Sequence, residues 1–181
     1  MDPIALIKKY YGNNRKAYHA MLMHGLQVAA KAMDIAKNLD IDVDKKFVKD
    51  AALLHDIGVA KVNAPLLGIK NDKPYICHGY LGREILESEG LPLHALVCER
   101  HIGVGFTKEE IIEEGLPLPH RDMLPVTIEE KLICFADKFF TKGLSGEKKF
   151  SYVRAQMRRH GKSKLDRFDE LASLFKYNMQ S

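Results

Sequence analysis

Apolar residues recur at steps of three and four positions along almost the whole of this 181-residue chain. This spacing is typical of one face of an α-helix, and no convincing strand or internal repeat interrupts it. Helices are predicted at 17–38, after Asp44, at 74–88 and 92–101, from Thr107, and at 127–140, 147–160 and 163–177. The sequence therefore predicts an all-α bundle of about six to eight helices.

Cap residues support several of these predicted helices. The expected caps are Asp44, the capping boxes Thr107–Glu110 and Thr127–Glu130, and Ser163. Glycine and proline predict a loop at 58–73 and an irregular segment at 115–125.

Composition predicts one globular domain spanning residues 1–181. Hydrophobic residues make up 46% and charged residues 29%, which is ordinary for a soluble protein with a substantial core. No apolar run approaches the roughly 18 residues of a membrane span, and the N-terminus lacks the pattern of a signal peptide. The three cysteines are far apart and form no CxxC pair or disulfide framework. A reducing cytoplasm is the simplest location.

Positive charge concentrates in residues 138–167. Ten basic and two acidic residues give this segment +8, and since the whole chain carries +4, the rest carries −4. Such a segment suits phosphate-bearing partners, and a solvated helix surface explains it equally well. It lacks the interleaved aromatic residues of a surface that stacks single-stranded bases, which argues against nucleic acid. The oligomeric state stays open.

Six ionisable residues lie in otherwise apolar stretches of different predicted segments. They are His24, His55, Asp56, His78, His101 and Asp137. Each one alone has a plain explanation as a hydrogen-bonded core residue. Their joint occurrence is harder to explain in that way, because buried imidazole and carboxylate groups need partners. Together they suit a divalent metal site built between facing helices.

The order His24, His55-Asp56 and Asp137, with HDIG at 55–58, resembles the HD superfamily of metal-dependent phosphohydrolases. The resemblance covers roughly residues 19–140 and leaves 141–181 as a basic helical extension. It implies that these four residues bind one metal.

Some branches of that superfamily bind a second metal through two further histidines, and His78 and His101 fall in the corresponding region. The resemblance then implies that Asp56 bridges both ions. Similar arrangements occur in HD-GYP cyclic-dinucleotide phosphodiesterases and in HD-type hydrolases of dinucleoside polyphosphates. The absence of a GYP triplet, and an Arg100-His101 pair in place of His-His, argue against the first of these.

The implied activity is hydrolysis of a phosphoester or phosphoanhydride, in a nucleotide or other small phosphorylated compound, by metal-activated water. One or two ions of Fe, Mn, Zn, Ni or Co are expected, and Mg²⁺ is disfavoured because it prefers oxygen ligands. Asp56 and Lys61 are the candidate catalytic residues. Candidates for contacting substrate oxygens are Lys61, Arg100, Arg121 and Lys138. Many HDIG proteins carry lysine directly after the glycine, but here that position is Val59 and the nearest lysine is Lys61.

Other interpretations remain open at this point. The chain could instead be a regulatory protein that senses a nucleotide without turnover. Cys98 and Cys134 share helix faces with His101 and Asp137, although core packing is favoured over thiolate ligation. Gly58 either lets the chain turn away from the site without a Cβ or simply ends a helix.

Overall fold

The computed structural model describes residues 1–37, 42–143 and 146–177, which form nine α-helices. They are α1 Pro3–Tyr11, α2 Arg15–Lys37, α3 Lys45–Leu54, α4 His78–Ser88, α5 Pro92–Arg100, α6 Lys108–Glu113, α7 Ile128–Asp137, α8 Phe150–Arg159 and α9 Lys162–Leu174. Three 3-10 turns lie at Ile57–Lys61, Pro65–Leu67 and Tyr75–Cys77. The described ranges contain isolated β-bridges but no strand, so the all-α prediction is confirmed. The end of the predicted 17–38 helix, and residues 144, 145 and 178–181, lie outside the described residues.

The helix that the sequence pattern did not predict is α1. Asp2 caps it by accepting hydrogen bonds from the amides of Ile4 and Ala5. Because α1 has only nine residues, its buried face offers just Leu6, Ile7 and Tyr11, too few to establish a helical period.

Two predicted caps are present and two differ. Asp44 accepts from the Phe47 amide, and Thr107 and Glu110 form the complete capping box. Thr127 accepts from the Glu130 amide, but the Glu130 carboxylate accepts from Arg100 and the Val126 amide instead of closing the box.

The prediction that Ser163 caps the last helix is wrong. Helix α9 begins earlier, with Gly161 at φ +112° as its cap residue, and the Ser163 hydroxyl donates to Glu110. Glycine adopts this φ without steric strain, which explains why the chain can enter α9 there.

Two apolar clusters fill the interior. One joins α2, α3 and α7 to both C-terminal helices, through phenylalanines that include Phe135, Phe150 and Phe168. The other joins α1 and the first half of α2 to α4 and α5. Helix α2 contributes to both clusters, Met21 to one and Val28 to the other, and His24 lies between them. Within the described ranges, no helix combines the length and apolar character needed to cross a membrane.

Candidate metal centre

The fold brings all six predicted ligand residues into one buried cluster. Four of the five elements involved supply these residues at or directly beyond a helix end. His55 follows α3, His78 begins α4, His101 follows α5 and Asp137 ends α7. His24 comes from the middle of α2. None of the six residues is more than 9% exposed, so packing on every side fixes their positions.

The first group consists of His24, His55, Asp56 and Asp137, whose ligand atoms all lie within 4.8 Å of one another. His24 Nε2 is 3.1 Å from Asp56 Oδ2 and 2.9 Å from Asp137 Oδ1. His55 Nε2 is 3.0 Å from Asp56 Oδ2. Two nitrogens and two oxygens thus face a common point, a donor set that suits Zn, Fe or Mn.

The second group consists of Asp56, His78 and His101. Asp56 Oδ1 is 3.1 Å from His78 Nε2 and 3.4 Å from His101 Nε2, and the two Nε2 atoms are 3.3 Å apart. Asp56 therefore turns one oxygen toward each group. Asp56 could therefore help to hold an ion at either group.

Several polar atoms at the centre of the cluster lack ordinary hydrogen bonds. His24 Nε2, His55 Nε2 and both carboxylate oxygens of Asp56 are fully buried, yet none of them makes a hydrogen bond of acceptable geometry with the residues that the structure describes. Buried polar atoms without such bonds are costly and rare in folded proteins. Because these atoms converge on shared points, the residues present fit one or two bound cations.

Three of the histidines are oriented in the same way. His55, His78 and His101 each donate from Nδ1 to the backbone carbonyl three residues earlier, at 2.6, 2.6 and 2.7 Å. A proton on Nδ1 leaves the Nε2 lone pair free to bind a metal. All three Nε2 atoms point into the cluster.

The pKa values of several cluster residues differ strongly from their ordinary values. Burial alone disfavours ionisation of Asp56 and Asp137, but neighbouring histidines and lysines hold the pKa of each carboxyl well below its usual range. Burial also disfavours a charged His55, but Asp56 and Asp137 raise its pKa to about 9. For His101 burial prevails and lowers the pKa to about 3. The carboxylates are therefore ionised at neutral pH, and a cation at the first group would displace the proton of His55.

Backbone contacts fix the turn that carries the His-Asp pair. The Tyr11 hydroxyl accepts from the Ala60 amide at 3.0 Å and lies 3.1 and 2.9 Å from the carbonyl oxygens of Asp56 and Ile57. A Cβ on Gly58 would come within 2.0 Å of the His78 carbonyl oxygen. Gly58 is therefore needed for the close approach of this turn to α4, so that Asp56 and His78 can meet.

One lysine at the cluster was not predicted from the sequence. Lys142, beyond the end of α7, places Nζ 2.7 Å from Asp56 Oδ2. A buried His-Asp cluster next to a basic segment predicts that one of the segment's cations lies near the carboxylates. Nothing in the sequence distinguished Lys142 from its neighbours as that cation.

The four residues predicted to contact substrate do not lie together in the structure. Lys138 lies at the cluster, where Nζ is 2.8 Å from Asp137 Oδ2 and donates to the His101 carbonyl at 3.1 Å. Arg100 is paired with the buried Glu130, and Arg121 with the buried Glu99. Lys61 is exposed at the end of its 3-10 turn, and its side chain makes no ion pair or hydrogen bond to any residue that the structure describes. Of the four, only Lys138 is shown in contact with cluster residues.

The thiols of Cys98 and Cys134 face backbone carbonyls rather than the metal-ligand cluster. Cys98 is fully buried and donates to the His55 carbonyl at 2.9 Å, and Cys134 faces the carbonyls of His101 and Gly103. Burial raises the pKa of both thiols, which disfavours a thiolate.

Two clefts open beside the first group and share a wall made of Leu66, Leu67, Thr141 and Lys142. The Tyr75 cleft, which also contains Phe140 and Gln156, has a volume of about 510 Å³ and reaches Asp137. The His19 cleft, which also contains Lys16 and Met23, has a volume of about 630 Å³ and reaches His24.

Comparison with known proteins places this site in context. The HD domain family model matches residues 21–141. An uncharacterised protein of Methanocaldococcus jannaschii is 43% identical over 118 residues, which cover 63% of this chain and 62% of that protein. No solved structure matches the chain.

Two further relatives are named tRNA (cytidine(56)-2'-O)-methyltransferase. The protein from Thermoplasma volcanium is 30% identical over 87% of this chain and 41% of its own length. The protein from Picrophilus torridus is 39% identical over 54% of this chain and 25% of its own length. The chain thus spans less than two thirds of the length of each of these three relatives.

Proposed function

Because the chain belongs to the HD domain family, as its sequence motif predicted, we propose that it is a metal-dependent phosphohydrolase. HD domains bind divalent metals, and the family generally consists of metal-dependent hydrolases. The substrate we propose is a phosphoester or phosphoanhydride of a nucleotide or another small phosphorylated compound. The cytoplasmic location stays a prediction.

The observation that carries this proposal is the pair of ligand groups joined at Asp56. His24, His55, Asp56 and Asp137 would hold one ion, and Asp56, His78 and His101 the other. Such ions supply Lewis acidity and a water of lowered pKa. The mixture of imidazole and carboxylate favours Fe, Mn, Zn, Ni or Co over Mg²⁺.

The residues around the ligands have separate tasks. Lys138 holds Asp137 in place and ties it to the end of α5, through the contacts to Asp137 and the His101 carbonyl. Lys142 is the ammonium best placed to contact a substrate phosphate, because it reaches Asp56 and lines both clefts. It can thereby supply the cation that many HDIG proteins carry directly after the glycine. Phosphoryl transfer depends mainly on such positioning and positive charge.

The test compares Asp56→Ala with the native chain, using Asp72→Ala on an exposed loop as the control. We expect Asp56→Ala to lose bound metal and metal-dependent hydrolysis of phosphoesters and phosphoanhydrides, and Asp72→Ala to keep both. Retention of hydrolysis by Asp56→Ala would refute the proposal. Nucleotide binding by the native chain without turnover of any such compound would favour the sensing alternative.

A second candidate function is action on RNA, and the names of two relatives favour it. Both are tRNA methyltransferases, and the match covers a minor part of each. Several cations of the basic segment are occupied in ion pairs, such as Arg154 with Asp169 and Arg167 with Glu110, whereas Lys149, Arg158 and Arg159 are exposed. Measuring the affinity for tRNA at increasing salt concentration would test this second function. Affinity that falls steeply with salt would support RNA binding, and weak binding at low salt would exclude it.

A further inference from the structure

The two clefts reach the same metal group from two directions. The Tyr75 cleft ends on Asp137 and the His19 cleft ends on His24, and these two side chains are 2.9 Å apart. A phosphate held at the first ligand group would therefore face both clefts at once. Lys142, in their shared wall, lies beside that position.

Each cleft is large enough for an organic group of its own. Their volumes of about 510 and 630 Å³ both fall within the roughly 300–1,000 Å³ of small-molecule sites. A phosphate monoester has one organic group and would fill only one cleft. A phosphate that bridges two organic groups would fill both.

The lining of the Tyr75 cleft suits a flat heteroaromatic ring. Tyr75, Phe140 and Met157 provide apolar surface, and the side-chain amides of Asn63 and Gln156 can pair with ring nitrogens and exocyclic groups. The His19 cleft also combines cations with apolar surface. Lys16 and His19 line it together with Gln27, next to the apolar surface of Met23. This lining suits a second nucleoside whose sugar or further phosphate meets the cations.

We propose that the substrate is a phosphodiester that links two nucleosides, with one nucleoside in each cleft and the bridging phosphate at the ligand group beside Lys142. This inference rests on the proposed function and specifies its substrate class. In the reaction, water adds to phosphorus and one phosphorus–oxygen ester bond breaks. One product keeps the phosphate as a monoester, and the other leaves as an alcohol that takes up a proton.

The first test measures binding without turnover. The probe is a non-hydrolysable phosphonate analogue of the dinucleotide adenylyl-(3',5')-adenosine, titrated calorimetrically into the metal-loaded chain. We expect one molecule to bind per chain. Met23→Trp should fill the His19 cleft, and Gln156→Trp the Tyr75 cleft, so each variant should bind the analogue at least tenfold more weakly. Met23 is 43% exposed and Gln156 half-buried, so tryptophan at either position can be accommodated without disturbing the core. No binding by the native chain, or an unchanged affinity in either variant, would overturn the proposal.

The second test measures turnover of a matched pair of substrates, the dinucleotide adenylyl-(3',5')-adenosine and adenosine monophosphate. We expect kcat/KM to be at least tenfold higher for the dinucleotide, and each tryptophan variant to lower it at least tenfold while metal content and thermal midpoint stay native. Faster hydrolysis of the monophosphate would overturn the diester assignment and leave the proposed function standing. Hydrolysis of neither probe, together with inactivity toward other phosphoesters and phosphoanhydrides, would overturn both.

Discussion

Asp56 is the residue on which both ligand groups depend, because its two oxygens face different sets of histidines. The neighbouring Lys142 binds the same carboxylate. Asp56 Oδ2, which Lys142 contacts, would also help to hold a cation at the first group. We therefore expect the Lys142 ammonium to turn toward the substrate phosphate when the group is occupied.

This role predicts a specific loss in Lys142→Met. Removing one preorganised cation from a phosphate site should lower kcat/KM about 100-fold. Metal content should be unchanged, since Lys142 is not a ligand. Lys142→Arg should restore part of the activity. Steady-state kinetics on the three proteins, with metal analysis of each, make the measurement.

The matched control is Lys61→Met, which removes the lysine that the sequence favoured from an exposed position. A larger loss in Lys61→Met than in Lys142→Met would contradict the assignment of Lys142.

Sequence alone predicted which residues form the cluster better than it predicted the residues around them. The six candidate ligands stand out because each is polar within an apolar helix face. Lys142 and Tyr11 carry no such contrast, and their roles arise from tertiary contacts with the His-Asp turn. Arg100 and Arg121 were plausible phosphate contacts until the fold placed Glu130 and Glu99 against them.

At the scale of elements, the 3-10 turn Ile57–Lys61 approaches α4 closely near the site. Gly58 makes it possible, because any side chain there would meet the backbone of His78 and Gly82. Backbone atoms cannot move aside as flexible side chains do. The two elements that carry Asp56 and His78 would have to separate.

Gly58→Ala is therefore expected to destabilise the protein by about 3 kcal/mol through overpacking and to weaken the second metal site. Gly115→Ala is the control. There the added Cβ meets open space but φ is +60°, so a cost of about 1 kcal/mol is expected. Urea denaturation and metal titration would show the difference. Equal stability losses in the two variants would argue against the close approach.

A second contact between elements joins α6 to α9. Burial on its own would raise the pKa of Glu110, but hydrogen bonds from Lys164, Ser163, Arg167 and the Thr107 amide lower it to about 2. Because folding favours the ionised carboxylate, its contribution is complete above the ordinary pKa of 4.5. It is lost as the pH falls from that value toward about 2.

Glu110→Gln should thus be less stable than the native chain by about 2 kcal/mol at pH 7. The difference should shrink between pH 4.5 and pH 2. Glu113→Gln, on the exposed side of the same helix, should match the native chain throughout. Urea denaturation across this pH range makes the comparison. If the stability difference between Glu110→Gln and the native chain were independent of pH, the carboxylate charge would not be its cause.

For the whole molecule, the C-terminal helices belong to the core. The sequence suggested a basic extension beyond an HD core at 19–140, whereas α8 and α9 pack their apolar faces against α7. The Phe168 ring lies 5.3 Å from Phe135 and 5.4 Å from Phe150, measured between centroids. Charge was the stronger signal in the sequence because residues 138–167 contain ten basic residues, whereas α8 and α9 bury only six apolar ones.

Phe168→Ala should consequently destabilise the protein by about 3–5 kcal/mol. Tyr152→Ala, at a position that is 54% exposed on α8, should have little effect. Thermal and chemical denaturation would measure the free energy of unfolding of both variants against the native chain. A near-neutral Phe168→Ala would indicate that the C-terminal helices are dispensable for folding.

The most direct test of the account as a whole is metal stoichiometry in protein purified without added chelator or metal. The native chain and a His78→Ala, His101→Ala double variant would be measured side by side. We predict two ions per native chain and one per variant, because the variant keeps His24, His55, Asp56 and Asp137 intact. The same number of ions in both proteins, or none in the native chain, would contradict a centre of two metals joined at Asp56.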